Sequence, residues 1–187
     1  MKNYFKIVKD SSPSLRQKSV EITDITPEII QFVNQMHDYL VASQDEEISK
    51  KYGLREGVGL AAPQVGRNIK ALVVYFEELD ENNNIINIID HRLINPKIIL
   101  ESVKETYLSG GEGCLSVDNP HEGYVYRHHK IQVKAFNVLS MKEEIITARG
   151  YEAIVLQHEI DHLNGILYYD HIDKKEPFKT KEDAIRL

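Results

Sequence analysis

Two stretches of the chain carry apolar residues at helical spacing, and the first of them follows a typical helix start. Thr26 can cap a first turn, and Pro27 suits the first helical position. Isoleucine, valine, methionine and leucine then recur every three or four residues. This spacing predicts a helix that runs to about Lys50 and ends before Gly53. We expect this helix to pack on a sheet.

The middle of the chain has the β-branched, alternating pattern that is typical of strands. Strands are predicted over residues 70–76, 85–89, 93–100, 124–138 and 144–148. Pro96 lies within the third of these and favours a bulge or an edge position. Three asparagines at 82–84 favour a turn before the second strand. The last two strands are expected to pair as a hairpin.

The second helical stretch begins near Tyr151 and is expected to end at Asn164 and Gly165, a pair typical of a left-handed C-terminal stop. The order of helix, strands and helix predicts an α+β fold with mainly antiparallel strands. The chain has no internal repeat and no long linker, so a single domain over residues 1–187 is expected. Residues 173–187 are highly charged and receive no assignment.

The composition excludes several classes of protein. The 187 residues include one cysteine, Cys114, so neither an intramolecular disulfide nor a zinc site built from cysteines alone can form. Twenty-three basic against 29 acidic side chains give a formal charge of −6, which disfavours nucleic acid as a partner. No apolar run approaches the roughly 18–20 residues that cross a bilayer, and the first residues turn polar before a signal-peptide core forms. We therefore expect a cytosolic protein.

The second helix carries the sequence His-Glu-Ile-Asp-His at residues 158–162. Residues four apart lie on one face of a helix, so His158 and His162 can bind one metal ion. Glu159 is placed to act as general base on a water at that metal. Two surface histidines would give the same pattern. However, the apolar residues just before the motif predict a buried helix, in which such groups need partners.

A catalytic metal site usually has three protein ligands, so a third ligand must come from elsewhere. The protease motif that continues to a third histidine is absent, because Tyr168 stands at that position. A glutamate distant in sequence is one candidate for the third ligand, and Cys114 is the other.

The segment around Cys114 is rich in glycine, which allows a close approach of the backbone. A small buried apolar residue is the alternative role for this cysteine. Glu112 is a candidate acceptor for the ring N–H of a metal-bound histidine. Residues 115–117 are predicted to form a short strand.

Residues 57–66 read Gly-Val-Gly-Leu-Ala-Ala-Pro-Gln-Val-Gly. The glycines and alanines leave the backbone open to a ligand, and Gln64 offers a neutral side-chain donor. The segment is not a phosphate-binding loop, because the Lys-Ser/Thr pair of that motif is missing. A tight turn that leads into a helix or strand would explain the same residues.

Together, the three segments resemble the peptide deformylase family, whose members carry G-Φ-G-Φ-A-A-x-Q, E-G-C-Φ-S and H-E-x-x-H, with Asp before the second His, in this order. They stand here at residues 57–64, 112–116 and 158–162, and the resemblance extends from about residue 3 to residue 173. Residues 42–55 resemble an insertion of the longer bacterial subclass, in which the C-terminus tends to form a strand. The resemblance implies an α+β fold with mainly antiparallel sheets packed around a central helix that carries the histidine motif.

The resemblance also implies a role for each matched residue. The metal ligands would be Cys114, His158 and His162. Glu159 would be the general acid and base, while Gln64 and the backbone N–H of Leu115 would stabilise the oxyanion. Metal-bound hydroxide would attack the formyl group of the N-terminal formyl-methionine of a newly made chain, releasing formate.

The methionine side chain of such a substrate needs an apolar pocket beside the metal. Ile154 and Val155 precede His158 by one helical turn and are expected to line this pocket. Val58 and Leu115 are expected to line it as well. Gly59 would offer its backbone to the peptide, which would bind as an extended strand.

One feature departs from the family pattern. Other members often have an arginine soon after the cysteine motif that contacts the substrate chain, but residues 117–123 contain none. The nearest arginine is Arg127, which we expect to support Asp161 or Glu112 instead.

The types of ligand restrict which metal ion can bind, and the family resemblance implies the partners. Two imidazoles and a thiolate suit Zn(2+), Co(2+), Ni(2+) and Fe(2+). The resemblance implies one Fe(2+) per chain in the cell, which the other three ions can replace. The implied partners are N-formyl-methionyl nascent peptides and the ribosome near its exit tunnel. We expect a cytoplasmic bacterial monomer with no nucleic-acid motif and no membrane contact.

Two other functions fit parts of the sequence. A zinc endopeptidase of the H-E-x-x-H type would need a third histidine or glutamate ligand and would tolerate the loss of Cys114. A non-catalytic metal-binding module of the same fold would not need Glu159 or Gln64. All three motifs in the family's order favour the deformylase.

Overall fold

A five-stranded antiparallel sheet forms the centre of the fold. The computed structural model describes residues 4–187, and residues 1–3, where the predicted domain begins, lie outside the described residues. The strands of this sheet are Gly59–Ala61 (β1), Ala71–Leu79 (β2), Ile85–Glu101 (β3), Lys130–Asn137 (β6) and Lys142–Arg149 (β7). They lie side by side in the order β1-β2-β3-β6-β7.

A smaller sheet of three short strands joins the C-terminus to the middle of the chain. Its strands are Glu105–Tyr107 (β4), Arg127–His128 (β5) and Ile185–Arg186 (β8). β4 lies between the other two and pairs antiparallel with β5 and parallel with β8. The charged tail that received no assignment therefore ends in a strand.

Helices cover both faces of the large sheet. The three α-helices within residues 4–187 are Pro27–Gln44 (α1), Glu46–Tyr52 (α2) and Gly150–Leu163 (α3). Successive side chains of a strand point to opposite faces. Accordingly, Ala71 and Val73 of β2 pack with α1, whereas Leu72 and Val74 pack with α3. The predicted α+β fold with mainly antiparallel sheets around the motif-bearing helix is confirmed.

The predicted helix from Pro27 to about Lys50 was wrong in one respect, because it is two helices. Thr26 accepts the N–H of Ile29 as predicted, but α1 ends at Gln44. Asp45 has an extended backbone, and its side chain accepts the N–H of Ile48 at 2.8 Å, so it caps a new helix. This helix ends before Gly53, as expected.

Three strand predictions need correction. Residues 85–89 and 93–100 belong to one strand, β3, whose pairing with β6 shifts register on either side of Pro96. Pro96 thus occupies a bulge inside the sheet. Only 127–128 and 130–137 of the predicted strand 124–138 are extended, and residues 115–117 form a turn instead of a strand. The predicted hairpin of the last two strands is observed as β6 and β7.

Gly165 ends α3 with φ +74° and lies against the backbone of Arg16. A Cβ at this position would lie 2.7 Å from the carbonyl carbon of Arg16. The neighbouring contact is a hydrogen bond from the N–H of Ser19 to the carbonyl of Leu163 at 2.8 Å. The N-terminal segment therefore holds the end of the helix that carries the histidine motif.

Replacing Gly165 by alanine is expected to lower the free energy of unfolding by about 2–4 kcal/mol, since left-handed strain and overpacking add. Gly53→Ala is the matched control, because Gly53 has φ +63° and open space around its Cβ position. This control should lose only about 1 kcal/mol, the cost of the strain alone. Urea unfolding measures both variants, and equal losses would contradict the contact with Arg16.

None of the helices within residues 4–187 is both long and apolar enough to span a membrane.

Candidate metal centre

The first turns of α3 pack against the large sheet, and the histidine motif that follows is buried with them. His158, Glu159 and His162 are 8%, 4% and 1% exposed, respectively. The helix is apolar on several sides, which is typical of a helix enclosed by other elements. Its polar side chains must therefore find partners inside the protein.

The structure brings Cys114 to the two histidines of α3. One ligand atom from each of Cys114, His158 and His162 lies within 4.8 Å of the other two. The Sγ of Cys114 lies 3.3 Å from the Nε2 of His162. A tetrahedral ion with ligand bonds of about 2.0–2.3 Å would separate its ligand atoms by about 3.3–3.7 Å. The donor set and its spacing therefore fit one metal ion of the kind that binds sulfur and nitrogen.

The hydrogen bonds around the cluster leave the ligand atoms available. His158 uses Nδ1 for the carboxylate of Glu112 at 2.7 Å, so Nε2 is the nitrogen that remains for the sulfur of Cys114 or for a metal ion. The N–H of Ser116 lies 3.4 Å from the sulfur of Cys114 and donates to it, which suits a sulfur that carries negative charge. The pair of Glu112 and His158 is the usual kind of support for a metal-bound imidazole.

Three buried side chains on this helix have pKa values that are shifted in different directions. Burial acts on all three. It raises the pKa of Glu159 to about 7. It lowers the pKa of His162 well below the ordinary value, and nearby positive charges act in the same direction. Burial also opposes the charge on His158, but hydrogen bonds to Cys114 and Glu112 outweigh it, so the pKa of His158 is raised well above its ordinary value. A neutral His162 has a lone pair for a cation.

A buried ionic network extends from His158 to the protein surface. Glu112 receives two hydrogen bonds from Arg127, at 2.8 and 3.0 Å. Burial alone would raise the pKa of Glu112, but its bonds to His158 and Arg127 lower it to about 2. Arg127 also contacts Asp161 at 2.5 Å, and Asp161 contacts the half-exposed His171 at 2.7 Å. Arg127 thus lies between the two carboxylates and is 4 % exposed.

Gln64 is buried beside the cluster and is held by both ends of its amide. Its Oε1 accepts the N–H of Ala61 at 2.8 Å, which fixes the orientation of the side chain. Its Nε2 then points to the sulfur of Cys114 at 3.5 Å and to Ser116 at 3.3 Å. A neutral donor is therefore held next to the metal ligands.

Glu159 stands against the backbone of Gly59 on β1. A Cβ at Gly59 would lie 2.8 Å from the Cδ of Glu159, so only glycine leaves room for the carboxyl group. The Oε2 of Glu159 is buried and has no hydrogen-bond partner among the described residues. This unpartnered oxygen is available to a ligand.

One cavity of about 350 Å³ joins most of these groups. Of the residues predicted from sequence, those that line it are Val58, Gly59, Gln64, Glu112, Cys114, Leu115, Ile154, Val155, His158 and Glu159. His162, Arg127 and Asp161 do not line it and lie behind this wall. The residues predicted to bind the methionine side chain and those predicted to act in catalysis therefore line one cavity.

Sequence reasoning missed four residues of the cavity wall: Arg55, Glu56, Leu108 and Tyr151. Tyr151 had a usable signal, because it lies seven residues before His158 and so on the same helical face. Arg55 and Glu56 directly precede the first glycine motif, whereas nothing in the sequence singles out Leu108.

Comparison with known proteins gives one family. A profile of the polypeptide deformylase family matches residues 4–178. A peptide deformylase from Macrococcus caseolyticus is 47% identical over 182 residues, covering 97% of this chain and 96% of the relative.

Solved structures agree with the sequence comparison. The crystal structure of peptide deformylase from Ehrlichia chaffeensis has a TM-score of 0.74 and 31% identity, covering 94% of this chain and 91% of that one. The Met-Ala-Ser-bound class I type b peptide deformylase from Acinetobacter baumannii has a TM-score of 0.70 and 25% identity, covering 92% of this chain and all of that one.

Proposed function

Because the chain belongs to the peptide deformylase family and removes the N-formyl group from newly made peptides, we propose how its residues perform this reaction. One observation carries the proposal. The candidate ligands Cys114 and His158 line the same cavity as Glu159, whose buried Oε2 has no hydrogen-bond partner among the described residues. A formyl group in that cavity would meet all three.

Cys114, His158 and His162 would hold one divalent ion, with Glu112 supporting His158. When bound, this ion supplies Lewis-acid chemistry and lowers the pKa of a water toward about 7. We infer that the ion is Fe(2+) in the cell and that Zn(2+), Ni(2+) or Co(2+) can replace it, since imidazole and thiolate ligands suit all four.

Glu159 acts as the general acid and base. In its ionised form, the carboxylate takes the proton of the attacking water and later gives it to the nitrogen of the leaving amine. Gly59 supports this role, because the absence of a side chain lets the carboxyl group stand beside β1 with Oε2 free. Formate and a free N-terminal amine are the products.

Gln64 and the backbone N–H of Leu115 stabilise the negative charge that develops on the formyl oxygen. Gln64 is held in place by Ala61 before substrate arrives, so no reorganisation is needed during the reaction. Arg127 and Asp161 act indirectly, by fixing Glu112 and so the ring of His158.

The methionine side chain occupies the apolar part of the cavity, against Val58, Leu115, Ile154 and Val155. The peptide backbone runs along β1 at Gly59, as an added strand. The Met-Ala-Ser tripeptide that the A. baumannii relative binds supports a peptide substrate for this site.

The remaining expectations concern the whole protein. We propose that residues 1–187 form one domain that works as a monomer in the bacterial cytoplasm and meets nascent chains near the ribosomal exit tunnel.

The deciding experiment measures formate released from formyl-Met-Ala by protein that is purified without oxygen and analysed for iron. Formate in proportion to bound metal is the expected result. Cleavage of internal bonds in unformylated peptides, without formate release, would indicate the endopeptidase instead. Full metal occupancy with neither activity would indicate a binding module.

A further inference from the structure

The strand that borders the catalytic cavity is short and lies at the edge of the large sheet. β1 contains only Gly59–Ala61, and within the described chain it pairs with β2 alone. Val58, which precedes it, is a bend whose carbonyl still accepts the N–H of Tyr75 at 2.9 Å. A short edge strand with few contacts opens locally at little cost. A peptide that binds along Gly59 therefore needs the ends of β1 to be held by other groups.

A glutamine side chain holds each end of this strand. At the C-terminal end, Gln64 accepts the N–H of Ala61 at 2.8 Å. At the N-terminal end, the Nε2 of Gln44 lies 2.9 Å from the carbonyl oxygen of Gly57 and 2.8 Å from that of Tyr75. A primary amide nitrogen carries two N–H groups, so Gln44 can donate to both carbonyls at once. It joins the segment that leads into β1 to the neighbouring strand β2.

The residue before Gln44 holds the other backbone group of Gly57. The N–H of Gly57 lies 3.3 Å from the Oγ of Ser43, which is 2% exposed and donates to the carbonyl of Leu40 at 2.7 Å. Ser43 and Gln44 are the last two residues of α1, and the extended backbone of Asp45 separates them from α2. The C-terminal end of α1 therefore fixes both the N–H and the carbonyl of Gly57.

The position of Gly57 affects two groups that bind substrate under the proposed function. Gly57 lines the catalytic cavity and stands two residues before Gly59, whose backbone pairs with the peptide in that proposal. A Cβ at Gly57 would lie 2.8 Å from the Cδ1 of Leu115, so its backbone lies against a side chain that packs on the methionine. A shift of Gly57 would thus move both the strand edge and the wall of the cavity.

We propose that Gln44 is a positioning residue for peptide binding. By holding Gly57 to β2, it keeps the edge of β1 and the side chain of Leu115 in the arrangement that receives substrate. Gln44 does not line the catalytic cavity, so it acts through Gly57. A binding edge that is ordered before the peptide arrives loses less entropy on binding, so Gln44 contributes to affinity and not to the chemical step. This inference rests on the proposed function.

The test replaces Gln44 by methionine, which has a similar length but no N–H group. Formate release from formyl-Met-Ala gives KM and kcat for protein of measured metal content. We expect KM to rise about tenfold, as the loss of roughly one well-made hydrogen bond to the peptide would give. Bound metal and kcat should stay within about twofold, because the lost interaction is shared by the ground state and the transition state. Partial unfolding of the sample would instead lower kcat and leave KM unchanged.

Two further variants separate the hydrogen bonds of Gly57 from general effects on the helix. Ser43→Ala removes only the oxygen that accepts the N–H of Gly57, and its KM should rise about twofold to threefold. This variant decides the question if Gln44→Met does not fold. Gln35→Met is the matched control, because Gln35 is an exposed glutamine on the same helix and does not line the catalytic cavity. Its KM and kcat should equal those of the unmodified protein.

The possible results separate this inference from the proposed function. An unchanged KM for folded Gln44→Met, or for Ser43→Ala if Gln44→Met does not fold, would overturn the inference and leave the proposed function standing. A lower kcat at unchanged KM would also count against it, since Gln44 would then support the fold or the chemical step. An equal rise in KM for Gln35→Met would assign the effect to the helix as a whole and so contradict it. If the unmodified protein releases no formate, the proposed function fails, and this inference fails with it.

Discussion

Replacing Glu159 by glutamine is expected to lower kcat for formyl-Met-Ala by about 10²–10⁴-fold, the range that general acid–base catalysis contributes. Glutamine has nearly the same shape, so it fits the space beside Gly59, but it cannot carry the proton from water to amine. Glu159 is not among the three clustered ligands. The variant should therefore retain its metal, which elemental analysis of the same sample measures alongside formate release.

Glu152→Gln is the control for this prediction. Glu152 lies on the same helix, but its carboxylate contacts His91 at 2.7 Å and does not line the catalytic cavity. This variant should have the kcat of the unmodified protein. A Glu159→Gln variant with full metal content and full kcat would show that another group moves the proton.

Replacing Cys114 by serine is expected to remove activity through loss of the metal. A hydroxyl group is a far weaker ligand than a thiolate for ions that imidazole and sulfur suit. Loss of a group that merely supports a ligand costs about 10–100-fold in metal affinity, and loss of the ligand itself should cost more. Competition with a chelator measures the affinity. At a metal concentration about 100-fold above the Kd, the free energy of unfolding of the unmodified protein should rise by about 2.7 kcal/mol, as thermal unfolding measures. The rise for the variant should be much smaller.

His128→Asn is the control for the metal measurements. His128 is half-exposed, and its ring contacts the carbonyl of Ser102 at 2.7 Å, outside the cluster. Its metal affinity and metal-dependent stabilisation should match those of the unmodified protein. Retention of both by Cys114→Ser would contradict its assignment as a ligand and would favour the endopeptidase ligand set.

Local signals predicted the parts of the fold that depend on a few adjacent residues. Pro27 marks the start of α1 and Gly165 the end of α3, because each residue acts through its own backbone angle. The break at Asp45 was harder to predict, because the apolar spacing continues past it and only the capping side chain marks the new helix. At Pro96, the sequence indicated a bulge or an edge, and only the pairing with β6 decides between them.

The residues of the candidate site divide in the same way, into those that local spacing predicts and those that depend on the rest of the fold. Spacing along one helix places His158 and His162 together, and no knowledge of the rest of the fold is needed. The approach of Cys114 is different, because spacing alone left a distant glutamate as another candidate for the third ligand. The family resemblance supplied that choice. The network of Glu112, Arg127 and Asp161 joins three separate segments. The sequence can therefore name these residues as candidate partners, but it cannot show which of them pair.

Cys114 and His158 lie about 44 positions apart, so a metal ion bound to both closes the intervening chain into a loop. A cross-link that closes a loop of this length removes about 4 kcal/mol of unfolded-chain entropy. The ion would thus act as a staple in a chain that can form no internal disulfide. Its response to redox conditions is the reverse of a disulfide's, since oxidants that would form a disulfide bridge attack the thiolate here and open the staple.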